Sequence, residues 1–118
     1  MKAYEKYILT QDPVLVSFNY SGTLAEGDAV VLSANDTVSL GADGGNPVGV
    51  VHKVEGTKAT VQVRGAMVAK YTGTAPTVGA GKLLQVDGAG KVKAGTTSGT
   101  VVDILYVDTT DGVVVFAR

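Results

Sequence analysis

The chain has no cysteine, and with cysteine go disulfides, thiolate metal sites and cysteine nucleophiles. Tryptophan is missing as well, and there is one histidine, His52. Any transition-metal site would therefore rest on carboxylates, a poor donor set for zinc or copper. No apolar run approaches the ~20 residues of a membrane helix. The opening MKAYEKYILTQDP sets charges among tyrosines and has no apolar signal core. Neither a membrane partner nor a signal peptide is expected. An excess of one charge is also lacking: ten basic residues against eleven acidic give a formal net charge of −1. That balance argues against a dedicated nucleic-acid binder, which carries a basic excess or stripe.

What remains is the composition of one folded domain. The 118 residues are 45% hydrophobic and 18% charged, enough for a core and too apolar for a disordered tail. No helical period persists for three turns. Short β-rich runs recur instead: AVVLS (29–33), VGVVHKV (48–54), ATVQVRGAMVAKY (59–71), KLLQVD (82–87), VVDILYVD (101–108) and GVVVFAR (112–118). Turn formers such as GADGGNP, EGTK, DGAGK and TTDG separate them. Val61 and Val63 alternate with Gln62 and Arg64, the period of a strand with one wet face. Gly65 interrupts that alternation, where a bulge or sharp bend is expected. These features predict an all-β fold, a small barrel or sandwich, with residues 14–118 as one β domain behind an N-terminal arm of residues 1–13.

A longer regularity lies beneath the runs. Residues 27–64 align with residues 81–118 at an offset of 54 without a gap. Gly27, Val38, Gly41, Gly45, Val48, Val61 and Arg64 meet Gly81, Val92, Gly95, Gly99, Val102, Val115 and Arg118. Matched glycines fall at turns and matched aliphatics in strands, which suggests an internal duplication. Each unit reads as a strand, a turn, a short strand, a loop and a hairpin.

The sequence GAGKLLQVDGAGKV (79–92) invites a phosphate-loop reading. A Walker A loop needs a glycine five residues before Gly-Lys and a hydroxyl residue after it. Here Pro76 and Gln85 occupy the first position, and Leu83 and Val92 the second. No helix follows to present its N-terminus to an anion. Asp87-Gly88-Ala89-Gly90 is expected to be a hairpin loop. The aspartates are scattered through turns, where they cap backbone, and they lack the spacing of a calcium loop. His52 has no Gly-x-Ser-x-Gly elbow to serve, and its aligned partner is Tyr106. It is expected to be a half-exposed strand residue at a subunit contact. No cofactor and no catalysis are expected.

The N-terminal stretch lies outside the aligned units and holds Tyr4, Tyr7, Phe18 and Tyr20, four of seven aromatics. Tyrosine suits interfaces, with a broad apolar ring and a polar tip. Val14 to Phe18 alternate as a first strand. Met1 to Thr10 are expected to be an arm that orders against a partner.

The order LAEGDAVVL, NPVGVVHKVEGTKATVQVRGAMVAK, TVGAGKLLQVDGAGKVKAG and a final apolar hairpin resembles the head-decoration, or capsid cement, proteins of tailed bacteriophages. Gly27-Asp28, Val48-Gly49-Val50, Val63-Arg64-Gly65 and Gly81-Lys82 carry the resemblance across residues 22–118. The second unit departs from it at Val102-Asp103-Ile104, where a glycine is expected. The resemblance implies a β-tulip-like, non-enzymatic homotrimer on the outer capsid surface of the virion, bridging copies of the major capsid protein. Lys2, Tyr4, Tyr7, Ile8 and Leu9 are then expected to contact the capsid by strand addition. His52, Arg64 and Tyr106 are the candidates for contacts between subunits. The alternative is a carbohydrate- or surface-binding β module of a fibre or adhesin, which the shortage of aromatics in the repeat region disfavours.

Overall fold

A computed structural model of the chain describes residues 13–118. The arm candidates Lys2, Tyr4, Tyr7, Ile8 and Leu9 lie outside the described residues. Ten strands make up the rest, and no helix occurs among the described residues. They are β1 (Val14–Tyr20), β2 (Ala29–Ala34), β3 (Thr37–Ser39), β4 (Gly49–Glu55) and β5 (Lys58–Arg64). Then come β6 (Ala66–Lys70), β7 (Gly79–Val86), β8 (Val92–Ala94), β9 (Thr100–Asp108) and β10 (Val113–Ala117). The all-β expectation holds, and the single run 59–71 is split at Gly65, whose φ of 92° turns β5 into β6.

The first five strands form a closed barrel in the order β1-β3-β2-β4-β5. The last five form a sheet in the order β6-β10-β9-β7-β8. Read from the other end, the second order is the first ring opened between β1 and β3, with each strand replaced by the one five later. Register repeats as well. Val31↔Ser39 and Leu32↔Val38 recur, each number raised by 54, as Gln85↔Lys93 and Val86↔Val92. Val50↔Gln62 and Val54↔Ala59 recur as Ile104↔Phe116 and Asp108↔Val113. Both hairpins slip by one residue at neighbouring places, at His52 in β4 and at Leu105 in β9. The barrel closes where β1 runs parallel to β3, through Asn19↔Thr37 and Tyr20↔Val38. In the second half an isolated parallel bridge, Tyr71↔Val92, stands in the corresponding place.

The repeat is longer than the aligned units. Val16↔Val61 in β1–β5 becomes Val68↔Val115 in β6–β10, so β1 and β6 correspond at an offset of 52. Matched positions of β6 and β7 stand two residues farther apart in the chain than those of β1 and β2, which hides this match from a gapless alignment.

One pairing does not repeat. In the first half Val30 faces Gly49, but Leu84 faces Thr100 and not Asp103. A Cβ on Gly49 would overlap the Gln62 carbonyl oxygen and come within 2.8 Å of Val61 Cγ1. Only glycine fits there, and Asp103 cannot. The second half therefore slides β9 along β7 by three residues, at the position where its sequence lacks the expected glycine.

Two clusters fill the interior. Leu24, Val30, Val38, Val51, Ala59 and Val61 pack inside the barrel, all from the first half. The second cluster joins Met67, Leu84, Val86, Val92, Ile104, Val114 and Phe116 to Ala29 and Val50 of the first half. Residues Val113 to Phe116 are all buried, so β10 is covered on both faces, whereas β5 alternates. Backbone bonds seal the junction: Gly44 N–H donates to Val86 O at 2.9 Å, and Val86 N–H donates to Gly45 O at 2.8 Å. The second core thus draws on both halves and joins them in one body.

Candidate interaction surface

The glycine-lysine loops with the look of a phosphate cradle hold themselves. Asp87 Oδ1 accepts the N–H groups of Ala89 at 2.8 Å and Lys91 at 3.1 Å, while Asp87 N–H donates to Lys91 O at 3.0 Å. Gly88 and Gly90 supply φ values of 87° and 93°. The matching turn of the first half uses Asp36, at φ 52°. Other carboxylates are engaged in the same way. Asp28 accepts from Ala25, Asp103 from Gly81, and Asp108 from Thr110 and Asp111. Among the described residues no three acids and histidines gather as metal ligands, and no polar side chain is buried.

The three candidate contact residues do not converge. His52 is exposed at the bulge of β4 and borders a shallow depression with Glu26, Gln62, Ala66 and Val68. Tyr106 is half-buried at the matching bulge of β9. Arg64 sits at the end of β5 and lines a different depression with Thr100, Val101, Asp103 and Arg118. Sequence alignment of the halves had paired Arg64 with Arg118, and the fold brings the two side by side. Gly65 N–H donates to Arg118 O at 3.3 Å, holding the strand ends together.

That arginine pair lies within a band of exposed apolar side chains. Val14 is the register partner of Arg64 in β1–β5. Val14, Leu15 and Val16 are all exposed although successive side chains of a strand point to opposite faces. Both faces of β1 are therefore open at its start. Among the described residues its outer edge pairs with β3 only at Asn19 and Tyr20, leaving the edge of Val14–Phe18 without a strand. On the other side of the arginines, Val101 is 62% exposed and Leu32 54%. They flank an adjoining depression with Asn46, Pro47, Val48 and Arg118. Val14, Val101 and Leu32 thus border the arginines, and Leu15 and Val16 are exposed farther along β1.

Arg118 is the fixed point of the band. Its Nη1 donates to Val48 O at 2.6 Å. Burial, and then the like charge of Arg64, hold its guanidinium below the ordinary arginine range. Apolar surface with arginine at its centre and little lysine or glutamate is the composition of a protein–protein contact. Arg64 was legible as a contact candidate in the sequence, whereas Leu32, Val101 and Arg118 were not. The Arg64–Arg118 match in the repeat was the available signal for Arg118.

Comparison with protein-family models and with curated proteins finds no match to this chain.

Proposed function

We propose that the protein is a structural, non-enzymatic decoration protein of a tailed-phage virion. In this reading a homotrimer sits on the outer surface of the capsid and bridges copies of the major capsid protein. It takes no cofactor and engages neither nucleic acid nor membrane. The observation that carries the reading is the group of exposed aliphatic side chains that borders the arginine pair on an all-β body. Soluble monomers rarely leave so many large aliphatics together in water, so the band calls for a protein partner. The sequence resemblance to capsid cement proteins supplies the partner. Several copies bridging several capsid subunits would gain by avidity what one small contact lacks.

Heads stripped of decoration provide the test. The purified protein should be a trimer by light scattering and should saturate such heads. Removing residues 1–10 should abolish occupancy while leaving the unfolding transition in place. A monomer that ignores capsids and binds glycans would replace this reading with the adhesin module.

A further inference from the structure

We infer that the groove around Arg64 and Arg118 seats a carboxylate-bearing, extended segment of another protein, with aliphatic side chains on either side of its acid. The inference rests on the capsid reading only for the identity of that other protein.

Both arginines line one depression, and the charge of Arg64 acts on the Arg118 guanidinium. The ion pairs among the described residues are Lys53–Glu55 and Lys93–Asp43, and neither arginine takes part in them. Asp103 lines the groove, but its Oδ1 already accepts the Gly81 N–H at 3.1 Å. Two like charges side by side repel each other, and one carboxylate set between them removes that repulsion while forming charge-assisted bonds to both. Arg118 is prepared for this role. One of its nitrogens is tied to Val48 O at 2.6 Å, so the fork is oriented before any partner arrives.

The flanks specify the rest of the ligand. Val14 lies beside Arg64, and Val101 and Leu32 lie beyond Arg118. An extended segment with aliphatic residues around its acid covers apolar surface on both sides of the charge.

The carboxylate is assigned to a different chain type because, among the described residues, every acid except Glu26 and Asp36 is already engaged. Asp28, Asp87, Asp103 and Asp108 accept backbone N–H groups. Asp43 and Glu55 are paired with lysines, and Asp111 has its own interaction. A second copy would have to break a turn or an ion pair to offer most of these.

The probe is a fluorescently labelled pentapeptide of alternating valine and aspartate, compared with its valine–asparagine counterpart by fluorescence anisotropy on the full chain. The acidic peptide should bind at least about tenfold tighter, and Arg64→Gln should weaken it by about tenfold or more. Arg64 is exposed and anchors nothing in the fold, so that variant should unfold with the wild type. Raising salt from about 50 to 500 mM should weaken the acidic peptide alone. Equal binding of both peptides, no binding of either, or indifference to Arg64→Gln overturns the inference. Stripped heads separate the two readings. Undiminished occupancy by Arg64→Gln sinks the groove and leaves the capsid reading standing. Peptide binding by a protein that ignores heads does the reverse.

Discussion

Gly49 lies so close to Gln62 that a Cβ on the glycine would occupy the space of the Gln62 carbonyl oxygen. The contact lets β4 run against β5 just where β2 joins from the other side. Gly49→Ala should therefore destabilise the protein by about 3 kcal/mol, the upper range for a forced backbone shift. Urea unfolding would show the loss as a lower midpoint with an unchanged slope. Asp103→Gly, at the matching place in the second half, should leave the midpoint within about 0.5 kcal/mol of wild type, because the slid register places no such demand there.

Asp87 closes the turn of the second Gly-Ala-Gly-Lys through two accepted N–H bonds and a longer one from Thr72 Oγ1 at 3.3 Å. Asp87→Ala should cost about 1–2 kcal/mol, the scale of a lost capping acceptor. Titrating wild-type protein with ATP and magnesium in a calorimeter should give no binding heat. A saturable heat that vanishes in Lys82→Ala or Lys91→Ala would restore the phosphate-loop reading.

Lys53 Nζ lies 2.7 Å from Glu55 Oε1. The hydrogen bond to Glu55, and then its charge, raise the lysine above its ordinary value of 10.5. A raised lysine contributes its stabilisation in full below its unfolded pKa and loses it as pH rises through the folded one. On the alkaline side the pair therefore persists through the neutral range and fails above about pH 10.5. NMR titration of the side chain should find Lys53 deprotonating later than the other exposed lysines. Glu55→Gln should bring it back among them.

How much of this could be read from the sequence depends on the kind of contact. Val61 and Val63 against Gln62 and Arg64 gave the strand and its faces, because a half-buried strand must alternate. The Asp87 turn was legible because aspartate and glycine there have a local backbone task. The 54-residue offset brought β2 through β5 onto β7 through β10, since matched turns preserve strand length and register. The match of β1 with β6 was hidden because its offset is 52 where that of the later strands is 54. Burial of β10 on both faces was equally hidden, because Val113–Phe116 read as apolar wherever the covering layer lies. The exposed band was the least visible feature. Leu32 and Val101 have the same chemistry as Leu84 and Val102, and only the packing around them decides which are covered.

The division of the two cores has a consequence for how the protein is made. The barrel core draws only on residues up to Val63, whereas the second core needs Ala29 and Val50 from the earlier half. During synthesis the barrel has its full set of interior side chains once β5 has left the ribosome. The later strands then emerge onto a finished surface that already presents two of their core residues. Assembly in the direction of translation is the order this division favours, with the first half as the template on which the second is laid down.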